Sequence, residues 1–127
     1  MKMNQLKKHQ KKNIWIRSEI GEGEFDPYDE NTDVIVTFPN RTRYVASFFT
    51  YKNIESIRQH NKECGENMSG LYFWSSDMVI VDNIKAETIT SIIDQLITED
   101  KFESLFTKIE DVSPESDHLY DEGFFDF

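Results

Sequence analysis

Apolar positions switch period along this chain, and the switches mark its elements. From Asp33 to Phe38 and from Arg43 to Phe49 they alternate, in DVIVTF and RYVASFF, around Pro39-Asn40-Arg41-Thr42. A period of two is that of a strand. A short loop carrying Pro and Asn suits a type I turn, so the stretch predicts a β-hairpin. Upstream, NIWIRSEI places Ile14, Ile16 and Ser18 on one side and Trp15 on the other, a further strand. GEGEFDPYDENTD between them sustains neither period and reads as a loop.

From Thr50 the period becomes helical, with Ile54, Ile57 and Cys64 on one stripe and Gly65 where a left-handed C-terminal residue is wanted. GENMSG then connects to SGLYFWSSDMVIVDN, which predicts a strand at Leu71 to Trp74 and another at Met78 to Val81, or one long strand broken by a bulge. Ile89, Ile92, Ile93, Leu96 and Ile97 mark the clearest amphipathic helix, at i, i+3, i+4, i+7 and i+8. KFESLFTKIE fits a turn of helix followed by a short closing strand. The order β-β-β-α-β-β-α-β predicts an α+β domain: an antiparallel or mixed sheet of about five to six strands with two helices on one face.

Two helices cover only one face of such a sheet. Yet Leu71 and Phe73 oppose Tyr72 and Trp74, Met78 and Ile80 oppose Val79 and Val81, and Val34, Val36 and Phe38 oppose Ile35. Both faces are apolar, so the second needs a cover: the N-terminal strand region, the C-terminal tail, a second copy of the chain or another protein.

Length and composition fit this picture. The chain has 127 residues, enough for one domain with its own core, and 38% hydrophobic residues, too many for a disordered chain. Residues 1–12 read as a flexible basic arm, 13–110 as the domain, and 111–127 as an acidic-aromatic tail. The lysine-rich start is followed by no apolar run of signal-peptide length, and no segment approaches a membrane span. The single Cys64 forms no internal disulfide, which makes the cytoplasm the expected location.

The formal charge of −10 is unevenly placed. Glu19, Glu22, Glu24, Asp26, Asp29, Glu30 and Asp33 form one unopposed acidic block; Glu110, Asp111, Glu115, Asp117, Asp121, Glu122 and Asp126 form another. Such a field repels phosphates, so neither nucleic acid nor a membrane is an expected partner, whereas a basic protein is.

Candidate chemistry is sparse. Asp29, Asn31 and Asp33 imitate the start of a calcium loop, but Val34 replaces the turn glycine and Asn40 the bidentate Glu. His60 and Cys64 stand one helical turn apart at a helix C-terminus, where the dipole disfavours a thiolate, so Cys64 reads as a small core or boundary residue. His9, His60 and His118 show no metal-ligand spacing. Gly21-Glu22-Gly23 is a G-x-G among carboxylates, unsuited to phosphate. Ser75-Ser76-Asp77 suits a bulge, with Asp77 the candidate buried functional carboxylate. In the tail, Tyr120, Phe124, Phe125 and Phe127 are unusual for a disordered segment and suit docking on the chain's own sheet or on a partner.

The stretch from Thr50 to Glu110, and YFWSSDMVIV in particular, resembles a small family of bacterial proteins of unassigned function. In size, acidity and lack of enzyme motifs the chain is also similar to immunity proteins of bacterial toxin systems. That resemblance implies a non-enzymatic, cofactor-free inhibitor of a basic, nuclease-like toxin. The expected partner-binding residues are Asp26, Asp29, Glu30 and Asp33, with Asp117, Asp121, Glu122, Phe124, Phe125 and Phe127 second. The alternatives are a homodimer through the second apolar face and a small hydrolase using Asp77 with a serine.

Overall fold

Alternation in the hairpin becomes a pair of strands. In the computed structural model, which describes residues 11–20 and 24–126, Asn31–Thr37 (β2) pairs antiparallel with Arg43–Thr50 (β3), Val34 opposite Ala46 and Val36 opposite Tyr44. The turn is closed by Phe38 N–H donating to the Thr42 carbonyl at 3.0 Å and Arg41 N–H to the Phe38 carbonyl at 2.9 Å. Asn40 Oδ1 accepts from both the amide and the hydroxyl of Thr42. Asn13–Ile16 (β1) extends the sheet antiparallel to β2 and runs into a 3-10 turn over Arg17–Ile20.

Two strands share the far edge of β3. Met78–Val81 (β4) runs parallel to Ser47–Thr50, while Thr107–Ile109 (β5) runs antiparallel to Arg43–Val45. The five-stranded sheet is therefore mixed. A parallel neighbour requires a crossover connection, and helix α1, Tyr51–Cys64, lies within it. The Thr50 hydroxyl caps α1 by accepting from Asn53 N–H at 3.0 Å, and Gly65, at φ 84°, ends it with a bond to the Asn61 carbonyl.

The core lies on one face. Ile16, Val34, Val36, Tyr44, Ala46, Phe48 and Val81 project from the strands to meet Ile89, Ile93 and Ile97 of α3, Ala86–Thr98. Each such isoleucine contributes about 1.5 to 3 kcal/mol before entropy is subtracted. Phe102, on the short helix α4 (Phe102–Leu105), stacks on Phe106 at 4.3 Å and meets Tyr44 and Phe38 edge-on at 5.2 and 5.8 Å. Burial, and then the Glu103 carboxylate nearby, pushes the Tyr44 phenol above its ordinary pKa.

Of the two long helices expected beside the sheet, α3 supplies the core; α1 adds no buried apolar side chain, since Ile54 and Ile57 are half-buried. Cys64, expected in the core or at its boundary, is exposed. Its stripe on α1 is too narrow, with Lys62 and Glu63 close by, to be pulled under the sheet.

The strand expected at Leu71–Trp74 is turn and coil instead. β5 already occupies the half of the β3 edge before β4, so these residues have no ladder to join. They follow Glu66–Gly70 (α2), in which Asn67, Met68 and Ser69 all adopt left-handed backbone, φ 51° to 57°.

The tail folds back on the domain. Val112 is buried, and its N–H donates to the Arg41 carbonyl at 2.9 Å. A 3-10 helix over Pro114–Leu119 follows, capped by the Ser113 hydroxyl. The Arg41 guanidinium grips both Asp117 oxygens, at 2.8 and 3.0 Å, and lies 4.3 Å above the Phe125 ring centroid. Phe124 is buried against Tyr120, and Lys11 donates to the Gly123 carbonyl at 2.8 Å. Residues 1–10 of the expected flexible arm lie outside the described residues; Lys12 pairs with Asp94.

Candidate partner-binding surface

Strand register defines what the sheet presents on its second face. Asn13, Thr37, Arg43 and Ile109 form one row across it, and Trp15, Ile35, Val45 and Thr107 the next. Asp33, Ser47 and Met78 follow, then Asn31, Phe49 and Ile80. The face is apolar through much of its width, as the alternation predicts.

Its two ends are covered from within the chain. At one end the Tyr120 hydroxyl lies 3.3 Å from that of Thr37, which is buried, and Leu119 and Tyr120 share a shallow depression with Trp15 and Ile35. At the other end Phe73 packs edge-on against Phe49 at 5.4 Å and helps bury it. Between them Trp15, Ile35, Val45 and Met78 stay half-buried, and Ile80 is exposed.

Phe73 is the inward anchor of a segment that otherwise faces water. Leu71 is 74% exposed, Trp74 69%, Tyr72 52%, and Met68 just before them 70%. The left-handed run Asn67–Ser69 aims this segment, and left-handed backbone costs about 1 to 2 kcal/mol for each non-glycine residue. Gly70 holds the run against α1: a Cβ there would stand 2.8 Å from the Arg58 carbonyl oxygen and 2.9 Å from Lys62 Cγ. Large exposed Trp, Tyr, Leu and Met side chains together are typical of surfaces that bury another molecule.

The acidic residues fall into two groups. Asp26 accepts from Tyr28 N–H at 2.9 Å and sits 3.6 Å from Lys52 Nζ. Asp29 accepts from Asn53 Nδ2 and Ser56 Oγ of α1, Asp33 from Ser47 Oγ, and Glu30 Oε1 from Asn31 N–H. In the calcium-loop imitation the Asp29 and Asp33 carboxylates thus turn toward different protein donors, and Asn31 donates its Nδ2 to Asn53 Oδ1. Asp33 nevertheless sits two strands from Met78 on the second face, with Ser47 between them, about 10 Å away at ordinary strand spacing. Asp33 therefore borders the apolar part of the second face.

The second group divides. Asp121 and Glu122 are exposed, whereas Asp117 is bound to Arg41 and Phe124 is buried, so those two serve the chain's own fold. Phe125 is half-buried under Arg41, and Phe127 lies outside the described residues. Arg41 holds the Asp117 carboxyl below the usual carboxylate range, chiefly by hydrogen bonding.

Asp77, the carboxylate marked for chemistry, is half-buried and left-handed at φ 53°. Its carboxylate accepts from the Thr107 hydroxyl, and its carbonyl from Ser47 N–H at 2.9 Å. It thereby splices β4 to β5 where both meet β3, a structural duty. Among the described residues, one group with metal-ligand chemistry converges: His60, Cys64 and Glu66.

Set against known proteins, the chain matches no family model, no curated protein and no solved structure. Among the described residues, no helix is long and apolar enough to cross a membrane. The residues that sequence reasoning placed wrongly are Leu71, Tyr72 and Trp74, assigned to a strand; Met68 lies in the turn-rich connection expected over residues 65–70, and its exposure was not anticipated. The usable signal was Gly65 and Gly70 bracketing a short polar stretch, which marks a tight excursion more than a strand entry.

Proposed function

We propose that this chain is a non-enzymatic binding protein for a basic protein partner, acting as an immunity-type inhibitor of a nuclease-like toxin in the cytoplasm. The observation that carries the proposal is the exposed Leu71-Tyr72 pair and Trp74, presented on a strained turn beside the half-open second face. Desolvating such side chains in a partner's groove supplies the few large contributions that dominate an interface. Asp33 lies on the second face two strands from Met78, and together with Asp26, Asp29, Glu30 and the net charge of −10 it attracts a cationic partner. Nuclease clefts are cationic because they hold phosphates, and carboxylates can occupy them.

The test is rescue. The proposal requires a neighbouring gene that encodes a basic protein; cells expressing that protein should lose viability, recover when this chain is co-expressed, and fail to recover with Trp74→Ala combined with Leu71→Ala. A harmless neighbouring protein, or full rescue by the double variant, refutes the proposal. A homodimer is the second reading, favoured by half-buried Trp15, Ile35, Val45 and Met78. Sedimentation at micromolar concentration separates the two, because the inhibitor reading expects a monomer.

A further inference from the structure

We propose that His60, Cys64 and Glu66 form a binding site for one zinc-like divalent ion on the C-terminal turn of α1, with a fourth position open to water. Their donor atoms, one imidazole nitrogen, one thiol sulfur and one carboxylate oxygen, all lie within 4.8 Å of one another, and all three residues are exposed. His60 and Cys64 share a helix face at i and i+4. Glu66 joins them because Gly65, at φ 84°, ends the helix and folds the chain back.

Zinc bonded to S, N and O at its ordinary lengths, in a tetrahedron, needs donor separations of about 3.3 to 3.6 Å. The three atoms thus close by at most about 1.5 Å, which exposed side chains achieve by rotation. The backbone beneath them is already set, since Gly70 is wedged against Arg58 and Lys62 and locks the turn that carries Glu66.

Donor chemistry selects the ion class. A thiolate with an imidazole suits zinc and its borderline neighbours, whereas calcium and magnesium require oxygen ligands throughout. On binding, the Cys64 thiol releases its proton to solvent as the sulfur–metal bond forms, and no electron is transferred. The negative end of the helix dipole attracts a cation to the same place.

Cobalt(II) chloride titrated into the tag-free, reduced full-length chain tests the site. The expected result is one cobalt per chain with a thiolate-to-cobalt charge-transfer band and tetrahedral d–d absorption, both displaced by zinc. His60→Ala and Glu66→Gln should each weaken binding at least about tenfold. Zinc should slow alkylation of Cys64 at least tenfold in the parent chain and leave it unchanged in His60→Ala. His60→Gln repeats the test should His60→Ala disturb α1. Absence of the band, or a band as strong in both variants as in the parent, overturns the proposal.

Discussion

Replacing Phe124 by alanine should undock the C-terminal tail. Phe124 is 5% exposed, with ring contacts to Tyr120 and Phe125 at 5.5 and 5.0 Å. Burial of a phenylalanine contributes about 1.5 to 3 kcal/mol, and each aromatic pair about 0.5 to 1.5 more. A loss of about 3 kcal/mol shifts the local opening equilibrium about a hundredfold. Native-state amide exchange reads this directly. The Phe124 N–H bonded to Asp121 and the Tyr120 N–H bonded to Asp117 should exchange about a hundredfold faster, while α3 amides keep their rates. Equal rates in parent and variant, or unprotected tail amides in the parent, would refute a tail held by this ring.

Three further outcomes follow from the same geometry. Asp117 has a folded pKa below its unfolded one, so its contribution is present above about pH 4 and is lost as pH falls through the folded value. Trp15 shares a depression with Leu119 and Tyr120, so in a Trp74→Phe background its fluorescence should report the acid release of the tail; Asp117→Asn should remove that transition, and an unaltered curve contradicts the assignment. Ile93→Ala, at a position 0% exposed, should cost about 2 to 5 kcal/mol in urea unfolding, and a cost under 1 would mean α3 does not cover the core. Asp77→Ala should cost about 1 to 2 kcal/mol through the lost Thr107 bond and the left-handed backbone, whereas Asp77→Asn keeps an acceptor and tolerates that backbone. Equal destabilisation by the two would rule out the splice.

Elements with a strong local signal were legible. The hairpin around Pro39–Thr42, the helix end at Gly65 and the isoleucine stripe of α3 each lie where period and turn chemistry put them, because local preference and burial agree there. KFESLFTKIE also resolved as read, into α4 and then β5. Leu71–Trp74 did not. Its apolar and aromatic residues carry strand propensity, but propensity expresses itself only against a free edge, and the returning C-terminal strand has taken that edge. That competition is set by residues more than thirty positions away, which no local window contains.

The surface was half legible for a related reason. Two apolar faces were visible from alternation, but which groups cover the second depends on pairings such as Arg41 with Asp117 and Thr37 with Tyr120, distant in sequence. The tail aromatics were expected to dock on the chain's own sheet or on a partner, and of the phenylalanines among them the structure buries Phe124 against the chain itself. The acidic block from Asp26 to Asp33 was legible as charge, yet its ties to Asn53, Ser56 and Ser47 were not.

Calorimetric titration of the basic partner that the proposal requires into this chain and into Trp74→Ala, at low and high salt, tests the binding surface most directly. Trp74→Ala should raise Kd about thirtyfold or more, a loss of about 2 kcal/mol, with unfolding free energy unchanged to within about 0.5 kcal/mol, and salt should weaken both complexes. An unchanged Kd in Trp74→Ala together with indifference to salt would contradict the account.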